Sequence, residues 1–186
     1  MTTTLSPPSL PRIRPEQLRE IGLFGGLSDE TIASLVSELV LEQVEPGVYV
    51  MREGETAREM FVVLGGELEV VKHGAGGNEA RVAMLGPGDW VGEMSIIDVM
   101  PRSASVRALA PSLLLKITAE DLDKLYRRDV KSYALFVLNM ARELSRRLRV
   151  ADGILAGVIA SVWDEYLGAT RRNASPGGPF NKPSPG

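Results

Sequence analysis

Glu93 and Arg102 are the two residues of this sequence whose types and spacing could hold a small polar ligand. They lie in the stretch from Gly88 to Arg107, GDWVGEMSIIDVMPRSASVR. An ionised carboxylate accepts hydroxyl protons, and a guanidinium presents a planar fork of donors to an anion. Between the two stand the apolar residues Met94, Ile96 and Ile97, spaced for about one helical turn. Gly92 precedes the acid, and Pro101-Arg102-Ser103-Ala104 opens an alternating segment that ends at Val106. An acceptor of hydroxyls and a grip for an anion, held a short and fixed distance apart, suit a sugar joined to a phosphate. Each residue alone has a plainer use: Gly92 as a turn glycine, Glu93 and Arg102 as an internal salt bridge, Ser103 as a strand-edge serine.

Other chemistries find little footing. There is no cysteine, which removes disulfide frameworks, thiolate nucleophiles and cysteine metal sites together. The one histidine, His73, stands beside a glycine loop with no oriented partner for acid–base work. Asp121 and Asp123 fall on a helix surface. The GPGDWVG glycines lack the spacing and the strand–helix context of a dinucleotide site. No enzyme is expected, no cofactor and no metal. A formal charge of −3 supplies no basic surface for nucleic acid or acidic lipid. No segment reaches the ~18 uncharged apolar residues of a membrane span, and MTTTLSPPSLPRIRP has no signal-peptide core, so a cytoplasmic protein is expected.

The elements that must position Glu93 and Arg102 follow from periodicity. Residues 1–14 are rich in Thr, Ser and Pro and read as a flexible leader. A helix begins at Pro15, GLFGGL forms a tight turn, and Ser28 caps a second helix whose stripe is Ile32, Leu35, Val36 and Leu39. From Leu41 to Ile117 the period changes to two and turn residues recur, predicting strands at 48–51, 60–64, 67–72, 80–85, 104–108 and 113–117. An apolar segment too irregular for a strand interrupts them at 92–98, as a short helical insertion. Thr118 with Asp121 opens another short helix through a capping box.

From Val130 a heptad stripe runs through Ala134, Val137, Ala141, Leu144, Leu148, Ala151, Leu155, Val158 and Val162. It is either the face of a helix packed on its own barrel or the seam of a homodimer through residues 130–162. Gly153 and Gly157 mark a break between two helices near 152 or a close helix crossing. The division expected is a leader (1–14), a domain (15–150), a helical extension (151–168) and a disordered Pro/Gly tail (169–186).

Several stretches together resemble the cyclic nucleotide-binding domain family, which includes the bacterial cyclic-AMP receptor protein, kinase regulatory subunits and gated channels. The resemblance covers about residues 18–150. It is carried by LFGGLSDETIASL, EPGVYVMREGE, FVVLGGELEV and above all VGEMSIIDVMPRSASVRA, which is similar to the family's phosphate-binding cassette. The implied fold is mainly β with flanking α-helices: a β-roll, or jelly-roll-like barrel, with N-terminal helices, a short cassette helix and long C-terminal helices. The implied site is Val91, Gly92, Glu93, Met94, Ser95, Arg102, Ser103 and Ala104. In it Glu93 takes the ribose 2′-hydroxyl, Arg102 and Ser103 grip the phosphate, and the Met94 and Ser95 amides add donors. Arg102-Ser103 leans to cyclic AMP, with cyclic GMP as the alternative. Where the bacterial receptor has a Thr-Ser pair towards the base, this chain reads Ala151-Asp152. Nothing after Gly153 has the length or basic character of a helix-turn-helix, so a stand-alone sensor acting on an unidentified protein partner is expected. The alternative is an interaction scaffold with a degenerate pocket.

Overall fold

The computed structural model describes residues 13–74 and 76–173; the expected leader and tail lie largely outside them. The elements, in order, are α1 (Pro15–Arg19), a 3-10 turn (Gly22–Phe24), α2 (Asp29–Glu38), β1 (Val40–Val44), β2 (Tyr49–Met51), β3 (Glu59–Gly65), β4 (Leu68–His73), β5 (Glu79–Leu85) and β6 (Trp90–Val91). They continue with α3 (Met94–Ile97), β7 (Ser105–Ala108), β8 (Ser112–Thr118), α4 (Ala119–Arg128) and α5 (Val130–Asn173). Two four-stranded antiparallel sheets, ordered β1-β8-β3-β6 and β2-β7-β4-β5, make the β-roll expected of the sequence.

Between the sheets lies one core, with Met51, Phe61, Val63, Leu68, Val106 and Leu114. The other face of the first sheet supports a second core, in which Met60, Val62, Leu115 and Ile117 meet Leu18, Phe24, Ile32, Leu125 and Phe136 of the helices. β3 and β8 are therefore buried on both faces, and their near-continuous apolar runs EMFVVLG and SLLLKIT follow from it. Phe24 and Phe136 meet edge to face with centroids 5.8 Å apart, which anchors α5 on the N-terminal helices.

The helix starts follow the sequence. Ser28 Oγ accepts the Thr31 amide at 3.2 Å. Thr118 Oγ1 accepts the Asp121 amide at 3.1 Å while the Asp121 carboxylate accepts the Thr118 amide at 3.0 Å. Between α4 and α5, Asp129 accepts the Ser132 amide at 3.1 Å and the Thr31 hydroxyl at 3.1 Å, joining α2 to the start of α5. Those bonds, the Ser132 hydroxyl's above all, hold the Asp129 carboxyl below the usual carboxylate range.

Three expectations are corrected. β1 and β6 are additional strands: β1 alternates weakly, with Glu42 and Gln43 among its residues, and β6 has only two residues. The helical insertion is shorter than 92–98. Finally, α5 does not break near 152 but is assigned as helix from Val130 to Asn173, across Gly153, Gly157 and Gly168. Each glycine costs about 1 kcal/mol, which the long helix formers around them offset. The compact division of the chain falls within α5, between Ala141 and Arg142.

α5 also decides which face packs. Ser132, Phe136, Asn139 and Met140 are its buried residues, and the Asn139 amide donates to the Leu23 and Gly25 carbonyls at 3.1 and 2.9 Å. The heptad stripe lies mostly on another face. Val130, Leu148, Leu155, Val158 and Val162 are 58, 62, 57, 55 and 60% exposed. Within the stripe, Val137 packs against the helical core and Leu144 is half-buried.

On the outer face of the second sheet Glu69 is buried beneath two arginines. Arg107 Nε donates to Oε1 at 2.8 Å and Arg81 Nε to Oε2 at 2.7 Å, and these bonds, Arg107's first, lower the Glu69 pKa. A lowered folded-state value means stability that is present above the ordinary glutamate pKa of about 4.3 and lost as pH falls through the folded value. Glu69→Gln is expected to be less stable than the parent at pH 7, with the gap closing in urea titrations below about pH 4.

Candidate functional site

Strand pairing builds the site. β6 pairs with β3 in the register Phe61↔Val91 and Val62↔Trp90, which delivers Gly92 to the Glu59 end of β3. The turn after β2 then holds the backbone of Arg102: Gly54 N donates to Arg102 O at 2.9 Å, and Arg102 N donates to Glu55 O at 2.9 Å. Gly92 has φ +90, and a Cβ there would lie 2.6 Å from Arg102 Nη1, 3.0 Å from Met51 Cε and 3.1 Å from the Glu59 carbonyl oxygen. Glycine is required because the guanidinium occupies the space a side chain would take.

The Arg102 side chain is 2% exposed. Nη1 donates to the Gly92 carbonyl at 3.0 Å and to Ser95 Oγ at 2.7 Å; Nη2 donates to Glu59 Oε1 at 3.1 Å. Nε is buried with no hydrogen-bond partner among the described residues. Ser95 Oγ also donates to the Gly92 carbonyl at 3.1 Å, so hydroxyl and guanidinium share one acceptor. Glu93 is 3% exposed and occupies the N-cap position of α3.

The structure therefore gathers Gly92, Glu93, Ser95 and Arg102 in one buried cluster, with Val91 and Ala104 half-buried at its edges. Met94 and Ser103 are exposed, and the Ser103 hydroxyl faces the Met94 sulfur at 3.8 Å. The sequence did not single out Glu59, the acid that pairs with Arg102. Its one signal is a charge at the head of the apolar strand EMFVV. Ser95 contributes its hydroxyl to Arg102, a role beyond the amide expected of it.

At the end of α3 and just after it the chain exposes Ile97, Val99 and Met100, at 52, 58 and 60%. Val99 has φ +57, a region costly for a β-branched residue. Val99→Asn, which tolerates that conformation and loses little burial, is expected to raise stability by about 1 kcal/mol, or about 3 °C in Tm by calorimetry.

Chemically, these residues could offer a cation to an anion and an acid to a hydroxyl. Burying an anion requires a cation with donors to spare, and the Arg102 Nε is a buried donor without a partner. Recognising hydroxyls requires an acceptor, and Glu93 is a buried acid at the start of α3, next to Gly92. Close approach requires a backbone without a side chain, which Gly92 supplies.

Residues 41–129 match the family described as the cyclic nucleotide-binding domain. Over 130 residues the chain is 35% identical to the cyclic AMP receptor protein of Thermus thermophilus, an overlap of 70% of this chain and 58% of that protein. A crystal structure of the Thermus thermophilus catabolite activator protein superposes with a TM-score of 0.66 at 34% identity, over 74% of this chain and 62% of that one. A cyclic nucleotide-binding domain from Methylobacillus flagellatus superposes with a TM-score of 0.66 at 29% identity, over 72% and 75%. The chain spans 58% of the length of that Thermus thermophilus receptor and 62% of a CRP-like regulator of Mycobacterium tuberculosis that it also matches.

Proposed function

This chain carries a cyclic nucleotide-binding domain, and from that premise we propose that it is a receptor for cyclic AMP that acts on a protein partner through its C-terminal helices. The observation that carries the reading is the Arg102 guanidinium, 2% exposed yet left with one unsatisfied donor, lying against the bare α-carbon of Gly92. Arg102 and Ser103 hold the phosphate, and Glu93 accepts the ribose 2′-hydroxyl. Ser103 after the arginine favours cyclic AMP over cyclic GMP.

Transmission rests on packing. Ile96 of the cassette helix packs on the same core that holds Leu122 and Leu125 of α4 and Phe136 and Met140 of α5. A ligand that draws the cassette inward changes that packing, and shifts the helices by as much as its affinity differs between the two arrangements. The Asp129 junction, tied to Thr31 of α2, is the point where α4 and α5 can turn relative to the barrel.

A homodimer through residues 130–162 belongs to this reading. The exposure of Leu148, Leu155 and Val158 among the described residues supports it, since an apolar helix stripe of that length calls for a partner.

Titration calorimetry with cyclic AMP, cyclic GMP and cyclic di-GMP tests the proposal. Cyclic AMP is expected to bind tightest. Absence of binding by any of the three below millimolar concentration sinks the receptor and leaves the interaction scaffold. So does a Glu93→Ala/Arg102→Ala variant that keeps full partner binding and output.

A further inference from the structure

α5 changes character at Asp152. Before it, the positions flanking the heptad stripe are held by Ser145, Arg147 and Asp152, so the apolar surface is a narrow seam. Beyond it the flanking positions are Ile154, Ile159, Ser161 and Tyr166, of which Ile154, Ile159 and Tyr166 are exposed at 65, 47 and 64%, and Trp163 adjoins them at 59%. Added to Leu155, Val158 and Val162, they spread exposed apolar surface over about half the helix circumference. Beyond Asp152 the opposite face, with Gly153, Gly157 and Ala160, has no large apolar side chain to bury.

One partner helix covers a stripe of seam width. Apolar residues on both flanks are the pattern of a helix enclosed from more than one side, as in a bundle. The ends of this stretch also carry opposite charge. Arg146, Arg147 and Arg149 outweigh Glu143 before it, and Asp164 with Glu165 follows it. Four parallel helices would gather all the arginines at one end and all the acids at the other. Two pairs set antiparallel bring the arginines of one pair against the acids of the other, with the centre of overlap near Ala156-Gly157.

We propose that residues 148–166 of four copies form an antiparallel bundle that joins two homodimers into a tetramer carrying four cassettes. The occupant of the wide apolar face is thus a second dimer of the same chain. The inference rests on the homodimer reading for its first pairing, and mass measurement separates the two.

Sedimentation equilibrium of the full chain at micromolar concentration is expected to give a species of four times the 20.1 kDa chain. Ile154→Lys/Ile159→Lys, both at exposed sites, is expected to halve that mass with the far-UV dichroism unchanged. Arg147→Glu/Arg149→Glu is expected to do the same, and adding Asp164→Arg/Glu165→Arg to that chain to restore the tetramer. A parental dimer overturns the bundle and leaves the homodimer standing; a parental monomer overturns both. A tetramer that survives Ile154→Lys/Ile159→Lys, or that the charge exchange neither breaks nor restores, also overturns it.

Discussion

Arg102→Ala is expected to weaken cyclic AMP binding about a hundredfold, because a charge-assisted hydrogen bond contributes roughly 1.5–3 kcal/mol and each tenfold corresponds to about 1.4. Calorimetry at constant temperature reads the effect directly. The substitution also acts on the empty cluster, since the Gly92 carbonyl, Ser95 Oγ and the Glu59 carboxylate all lose a donor that stood within 3.1 Å. A drop in stability of about 2 kcal/mol is expected with it. Binding must therefore be measured well below the melting temperature, with a dichroism spectrum as control. Arg102→Lys separates charge from geometry: an ammonium keeps the attraction and loses the fork, so it should recover only part of the affinity. Unchanged affinity in Arg102→Ala would remove the arginine from the phosphate site and leave it as a structural partner of Glu59.

Gly66→Ala is expected to be the most damaging single methyl in the barrel. Gly66 sits at φ +89 in the turn between β3 and β4, where a Cβ would fall 2.3 Å from Ser112 Oγ, 2.6 Å from the Pro111 carbonyl oxygen and 2.6 Å from Ser112 Cα. Two of those atoms are backbone and cannot rotate away. Left-handed strain of about 1–2 kcal/mol adds to an overpacking cost of about 1–3, so a loss of roughly 2–5 kcal/mol is expected in urea unfolding. The adjacent Gly65→Ala is the control. Gly65 has no atom within 4 Å of its would-be Cβ and no positive φ, so its effect should stay below about 1 kcal/mol.

The two glycines also mark how much of the fold is legible in the sequence. Gly65-Gly66 was legible as a turn, because glycine between apolar runs signals one. Which glycine is indispensable depends on the Pro111-Ser112 backbone, which is close in space and remote in sequence. The cassette behaved alike. Gly92, Glu93 and Arg102 stood out through chemistry and spacing, whereas Glu59 did not, since an acid before an apolar strand looks like any solvated strand end. Only the β3–β6 pairing makes it the partner of Arg102.

The helices divide along the same line. Local signals placed the caps at Ser28 and Thr118, because a capping hydroxyl answers a donor three residues away. The apolar period along α5 was equally plain. Its meaning was not, for a heptad stripe reads the same whether it faces a barrel or another chain.

By itself, then, the sequence placed six of the eight strands and the starts of α1, α2, α4 and α5 through local periodicity and turn chemistry, while the family resemblance implied the β-roll and the cassette. The tertiary structure alone decided that Arg102 is clasped by Glu59 and Ser95, and that α5 seats itself on Phe136 and Met140. It thereby left the stripe from Val130 to Val162 largely on the outside. Those outcomes depend on which surfaces meet across long sequence separations, and periodicity within one segment carries no information about its neighbours in space.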